Sequence, residues 1–408
     1  MSRKRSRGNS EGSIYPVPGG WRAYAWVTGP DGIRRRKYVK ALTYEDAQRG
    51  WLKLRAQADR GPVASNLPTL REYLTYWLSE VVKPNLAPKT HEFYELLARL
   101  YIIPHLGAKR LDKLTAPDVR LWLNQIRQTC QCCAQGKDAH RPAERRRCCA
   151  IGKCCHQTPS QRTLNGARTT LRAALTHAVN EDELINRNVA AMIRLPSGRV
   201  RKPRAWSVTE ACQFLESARA GNDPLYTGYV LMLVLGLRLG EMLGLPWANV
   251  NLDAAEVDVS WQLQRVGKHL YHRETKTPGS DAPLPLPAIC AAAIKLQTEK
   301  QATWQRRAAQ AWRDHGLVIT TRYGTPYEPR NFTRHFARRC TAAGVRYITP
   351  HGMRRTCASL LAALDVHPRV AMRILRHSKI TVTLEIYTEV PDQAARDALR
   401  RLGEQFDS

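Results

Sequence analysis

The spacing of apolar positions changes along the chain, and each change marks a different kind of element. From Trp21 to Val27, aromatic and β-branched residues lie between turn signals, which predicts a strand. Gly29-Pro-Asp-Gly32 reads as a turn, and Ile33-Arg-Arg-Arg-Lys-Tyr-Val39 as a second, basic strand. Thr43 followed by Asp46 then starts a helix through Ala47, Trp51 and Leu54, in an approximate capping box. From residue 68 to 195 the period becomes helical: Leu70, Tyr73, Leu74, Trp77 and Leu78; then Tyr94, Leu97 and Tyr101; then Leu121, Leu123 and Ile126; and finally Ala167–Val179.

Residues 196–204, rich in Pro, Gly and basic side chains, form a linker. Beyond it the pattern is mixed. Helices are expected at 208–219, 224–244, 287–312, 329–343, 350–364 and 368–376, with two strands, Glu256–Gln264 and His269–Glu274, after the second helix. Residues 1–12 are polar and basic and are expected to be disordered.

A chain of 408 residues with 43% hydrophobic composition is long enough for two or three domains, each with its own core. The formal net charge is +29, and residues 1–60, 61–202 and 203–408 are each basic. One basic tail does not explain that distribution, whereas a polyanion touching every segment does. Arg outnumbers Lys 48 to 16, which suits forked contacts to phosphate. A bias in base composition accounts for part of that ratio but not for the net charge. The longest apolar run, Tyr229–Leu237, is too short to span a bilayer, and the basic N-terminus has no apolar stretch behind it. A cytoplasmic protein without a membrane anchor is expected.

Three segments carry candidate chemistry. In Gly236-Leu-Arg-Leu-Gly-Glu-Met-Leu-Gly-Leu245, Arg238 ends an apolar run, and Glu241 falls on the same helical face, where it can hold the guanidinium. A purely structural ion pair fits those residues equally well. In Thr349-Pro-His-Gly-Met-Arg354, Thr349 caps a helix and Pro350 takes its first position. His351 and Arg354 then share the first turn, where the helix favours an anion. The third segment, Leu375-Arg-His-Ser378, places His377 ten residues before Tyr387. Alone, Tyr387 reads as an ordinary packed tyrosine.

Taken together and in this order, the three segments resemble the tyrosine recombinase and phage-integrase family. Arg238, the His351–Arg354 box, His377 and Tyr387 match its motifs, and Lys276, after the two strands, falls where the family has a catalytic lysine. Two departures are Arg376, where the family usually has glycine, and Arg355, where a second histidine is common. The resemblance is strong over residues 205–395 and looser over 13–195. It implies a multidomain α+β fold: an arm-type DNA-binding domain of a small sheet plus a helix at 13–62, an all-α core-binding domain at 68–195, and a mainly α, mixed catalytic domain at 205–408. It further implies that Tyr387 attacks a phosphodiester held by Arg238 and Arg354, leaving a 3′-phosphotyrosine. His351 would take the proton, His377 would donate a hydrogen bond to the phosphate, and Lys276 would protonate the leaving oxygen. No cofactor is needed for that chemistry. The implied partners are double-stranded DNA attachment sites, three further copies of the chain in a tetramer, and a directionality factor. Other readings are a sequence-specific DNA-binding regulator that has lost catalysis, and a type IB topoisomerase-like enzyme.

The core-binding segment is interrupted at 130–156 by Cys130, Cys132, Cys133, Cys148, Cys149, Cys154, Cys155 and His156. Seven of the eleven cysteines in so short a stretch form a local device and not a disulfide framework for the fold. Thiolates at this density suit a structural zinc, with His140 as a further ligand. A thiol-rich loop without metal and a redox-sensitive pairing are the alternatives.

Overall fold

The computed structural model describes residues 12–28, 32–59, 67–196, 204–275 and 283–387. The chain separates into two compact units, residues 1–199 and 200–408, each described by itself. Among the described residues, no helix is long and apolar enough to cross a membrane.

The first unit begins with an antiparallel sheet of Ser13–Val17, Gly20–Thr28 and Arg34–Ala41, in chain order. Alternation along the middle strand turns Ala25 and Val27 inward, against Leu54 and Trp51 of the helix Tyr44–Ala58. Thr43 starts that helix by accepting from the Asp46 amide at 3.2 Å, and Trp51 Nε1 ties it to the sheet by donating to the Tyr24 carbonyl at 3.0 Å. The other face is basic and aromatic. The Arg36 guanidinium lies 4.8 Å from the Trp26 ring centre and 4.9 Å from that of Tyr24, with Arg34 also over Trp26.

The rest of the unit is a helical bundle built on Leu70–Tyr76, Pro88–Leu97, Ala116–Gln128 and Gln161–Asn180. Capping boxes at Thr69–Glu72 and Thr115–Asp118 fix two of the starts. Leu74, Trp77, Ile102, Trp122 and Leu171 fill its core, and the buried Trp122 indole donates to the Tyr101 carbonyl at 2.8 Å. The cysteine segment leaves and re-enters between the last two helices at one point, because the Gln131 amide donates to the Gln157 carbonyl at 2.8 Å.

In the second unit, Tyr226–Val234 is the most apolar helix, buried among Val208–Ala220, Ala288–Ala308 and Pro350–Ala363. Phe214, Tyr229, Phe332 and Phe336 form the aromatic centre of its core. Two expectations need correcting. The helix expected over 224–244 is broken, with Tyr226–Val234 and Leu239–Leu243 separated by an extended step. Gly236 has φ +61°, and a Cβ there would lie 2.7 Å from Leu375 Cδ2, so a turn and a close packing contact override the helical pattern. The strand expected over Glu256–Gln264 is two strands in two sheets, Glu256–Val257 and Trp261–Val266. Between them Asn249 Nδ2 donates to Asp258 Oδ2 at 2.8 Å and Ser260 Oγ at 2.9 Å, which draws the backbone out of the ladder. Trp261–Val266 pairs with His269–Glu274 in a hairpin pressed onto Gly244, where a Cβ would lie 2.4 Å from the Leu263 nitrogen.

Candidate active site

The break at Gly236 allows a guanidinium cluster to form. Thr349 has an extended backbone and accepts from the Gly352 amide at 3.2 Å, which starts the helix Pro350–Ala363. One turn in, Arg354 is only 3% exposed and donates from Nη1 to the Gly236 carbonyl at 2.7 Å and from Nη2 to the Leu375 carbonyl. Both acceptors are neutral. Burial, and then the charge of Arg238, push the Arg354 pKa down to about 9. A buried cation held by carbonyl dipoles beside a second cation has a standing demand for an anion.

Arg238 sits at the start of Leu239–Leu243 with an extended backbone, not on the helical face expected from spacing. Its amide donates to Glu241 Oε2 at 2.9 Å and its Nη1 to Oε1, while Nη2 donates to the Arg376 carbonyl at 3.0 Å. Glu241 is buried and also accepts from Arg376 Nη2 at 2.7 Å. Burial would raise its pKa, but Arg376 and Arg238 outweigh that and hold the carboxylate ionised. Arg238 itself stays partly open to solvent, so it can still meet a ligand.

The histidines complete the group. His351 is exposed on the first turn of its helix, its pKa lowered by partial desolvation and by Arg354, Arg238 and Arg355. His377 follows the left-handed Arg376 that ends Pro368–Leu375, and its Nδ1 lies 2.9 Å from Thr383 Oγ1. Burial, then Arg354, Arg238 and His351, push His377 down to about 4. Both rings are therefore neutral at pH 7 in a field that is positive on balance. Any anion bound there would raise both values.

Of the residues singled out by the sequence, Arg238, His351, Arg354 and His377 act on one another here. Tyr387 is the last residue of the helix Ile380–Tyr387, the same helix that carries Thr383. Lys276 lies outside the described residues, just beyond the strand His269–Glu274. Sequence reasoning missed Thr383 and the ion pair of Arg376. A threonine six residues after a histidine gives no recognisable signal, and Arg376 showed only as a departure from glycine.

The cysteines gather in two groups: Cys130, Cys133 and Cys154, and Cys132, Cys148 and Cys149, with ligand atoms in each group within 4.8 Å of one another. All are free thiols. His156 is in neither group, and its backbone amide donates to Cys154 Sγ at 3.3 Å. Asp138, missed from sequence, is fully buried and accepts from the amides of Arg147, Cys148 and Ala150, which shapes the turn that presents Cys148 and Cys149.

The chain is similar to known proteins in sequence and in fold. Residues 208–394 match the phage integrase family, and residues 69–127 match the phage integrase N-terminal SAM-like domain. An integrase of Streptomyces ambofaciens is 27% identical over 95% of this chain and 94% of its own length. A XerC-like tyrosine recombinase of Caldanaerobacter subterraneus subsp. tengcongensis is 24% identical over 83% of each. Among solved structures, the Tn1549 transposon integrase in complex with transposon right-end DNA shares the fold, with a TM-score of 0.63 and 20% identity over 82% of this chain and 99% of that one. A lambda integrase tetramer bound to a Holliday junction gives a TM-score of 0.53 and 16% identity, over 93% and 96%.

Proposed function

From the premise that this chain belongs to the phage integrase family and is a tyrosine-type site-specific recombinase, we propose that it cuts and rejoins DNA through a 3′-phosphotyrosyl intermediate on Tyr387. Arg238 and Arg354 clamp the non-bridging oxygens of the scissile phosphate, whose negative charge builds as the Tyr387 oxygen attacks phosphorus. The bond from phosphorus to the 5′ oxygen breaks. The tyrosyl proton passes to the neutral His351, and Lys276 protonates the leaving 5′ oxygen. His377 donates from Nε2 when the Thr383 hydroxyl donates to Nδ1, so the depressed pKa still leaves it a usable donor. A 5′-hydroxyl from a second strand reverses the steps. The phosphotyrosyl link conserves the bond energy, so neither ATP nor a catalytic cofactor enters.

Four elements and linkers fit this reading: an arm-type DNA-binding domain at 13–62, a core-binding domain at 68–195, a linker at 196–204 and a catalytic domain at 205–408. The substrates are paired attachment sites of a mobile element in cytoplasmic DNA, brought together by a tetramer, with a directionality factor biasing excision. The cysteine insertion takes structural zinc, because clustered free thiols with few carboxylates offer the soft donor set that zinc prefers.

The observation that carries the proposal is the buried Arg354, whose acceptors among the described residues are neutral carbonyls, beside Arg238 and two neutral histidines. The test uses nicked suicide duplexes carrying the attachment site from the source DNA. Wild type forms a covalent adduct visible on denaturing gels, and Tyr387→Phe forms none. An adduct that persists in Tyr387→Phe removes the nucleophile assignment.

A further inference from the structure

The insertion has almost no core of its own. Between Thr129 and Ser160, Ile151 is the one large aliphatic residue, and it is half exposed. The apolar atoms buried there are mainly sulfur, from Cys130, Cys132 and Cys148, beside the polar Gln131 and Asp138. A segment of this length without apolar filling needs a cross-link to hold one conformation.

The sulfur positions say which kind. Cys130 Sγ lies 3.7 Å from Cys155 Sγ, and Cys133 Sγ lies 3.7 Å from Cys154 Sγ. A disulfide requires about 2.05 Å. Four sulfurs about 2.3 Å from a tetrahedral zinc are instead about 3.8 Å apart. Cys130, Cys133 and Cys154 form one mutually close group of three, and Cys155 lies outside it but within 3.7 Å of Cys130. The second group, Cys132, Cys148 and Cys149, includes a 3.2 Å Cys132–Cys148 approach but has only three members. Cys155 is the one sulfur of the seven that belongs to neither group, and so the one left to complete both. Seven cysteines cannot give two separate sets of four, but they can if one is shared.

Resting on the structural-zinc reading above, we propose that the insertion holds a binuclear zinc–thiolate cluster: Cys130, Cys133, Cys154 and Cys155 bind one ion, and Cys132, Cys148, Cys149 and the same Cys155 bind the other. Loading exchanges seven thiol protons for two Zn²⁺ ions, leaving a net charge of three minus on the cluster. Lys137, Arg141, Arg145, Arg146, Arg147 and Lys153 surround it in sequence and supply the compensating charge. The second shell is already set. The Gln157 amide donates to Cys130 Sγ at 3.2 Å and the His156 amide to Cys154 Sγ at 3.3 Å, the contacts that steady metal-bound thiolates.

Metal analysis of the full-length protein purified with zinc, together with ¹¹³Cd NMR of the cadmium-exchanged protein, tests this. The expected result is two ions per chain and two cadmium resonances, each split by the other through the shared sulfur. No bound metal overturns both the cluster and the zinc reading. One ion per chain leaves zinc in place but overturns the binuclear cluster. Two resonances without mutual splitting overturn the sharing by Cys155. Cys155→Ser adds an independent readout: release to a chromogenic chelator accelerates for both ions, whereas Cys149→Ser accelerates one. Acceleration of one ion alone in Cys155→Ser also overturns the sharing.

Discussion

Arg376 donates from Nη2 to Glu241 at 2.7 Å, and both side chains are almost fully buried. The contact closes a ring, because Glu241 also binds Arg238, and Arg238 binds the Arg376 carbonyl. Arg376 pays for this with a left-handed backbone, φ +51°, a conformation costing roughly 1–2 kcal/mol for a side chain with a Cβ. The family resemblance leads one to expect glycine here, and the positive φ explains why. In this chain the strain is offset by a buried ion pair that orients Arg238.

Arg376→Gly should therefore separate stability from activity. Relief of the backbone, roughly 1–2 kcal/mol, offsets part of a buried-pair loss of about 3 kcal/mol, kept low because Glu241 retains Arg238, so the unfolding free energy in urea should fall by only about 1–2 kcal/mol. The cleavage rate on suicide substrates should fall about tenfold, because Glu241, which holds Arg238, loses its second anchor even though the carbonyl at position 376 remains. Arg376→Lys should recover part of the rate. An unchanged rate in Arg376→Gly would show that Glu241 alone positions Arg238.

Arg354→Lys should be far from conservative. One ammonium on a flexible stem cannot reproduce a planar fork donating at once to the Gly236 and Leu375 carbonyls and to the phosphate proposed to bind there. The expected loss is about 10²–10³ in cleavage rate, with binding to attachment-site DNA within a few-fold of wild type. Gel-shift titration beside single-turnover cleavage separates the two quantities. Equal losses in both would assign Arg354 to binding alone.

The helical period read over 350–364 and 368–376 matches the helices found at Pro350–Ala363 and Pro368–Leu375, because caps and apolar faces are local properties. The segment 224–244 read wrongly for a non-local reason. Its break is imposed by Leu375 and Arg354, more than a hundred residues away, pressing on Gly236. The same holds for the site. His351 and Arg354 share a turn that the sequence shows, whereas the partners that tune them, Gly236, Leu375, Arg376 and Thr383, are visible only once the helices are packed. The cysteine segment announced its sulfur but not its division into two groups, since that division depends on the turn built by the buried Asp138.

The two histidines make stability depend on pH in a defined direction. His377 is depressed to about 4 and His351 is also lowered, so between pH 6.5 and pH 4 the unfolded chain binds more protons than the folded one. Stability should therefore fall as pH drops through that window. It should be steadier across pH 6 to 5 in His377→Gln than in wild type. Inorganic phosphate or DNA should shift the loss to lower stability cost by pairing with the protonated rings. Chemical denaturation at pH 7, 6 and 5 checks the sign, and a wild-type stability that rises on acidification would contradict the buried, cation-rich surroundings of His377.

The N-terminal sheet makes a separate prediction about binding. Its outer face carries Arg34 and Arg36 braced against Trp26 and Tyr24, which fixes two guanidinium groups on a rigid strand. If this face meets the DNA backbone, each arginine neutralises a phosphate and releases counterions, contributing about 0.9 to the log–log salt slope. Arg36→Ala should then lower affinity for a duplex containing the full attachment region and make the salt slope shallower by about one. On a short duplex holding only the cleavage site, the same variant should match wild type if, as proposed, residues 68–195 and 205–408 hold that site. Fluorescence anisotropy at several salt concentrations gives both numbers for each duplex. A uniform loss on both duplexes would mean that the sheet contacts the cleavage site itself. An unchanged slope on the long duplex would leave the arginine–aromatic face as a packing feature of the sheet, with DNA contacts carried by other segments.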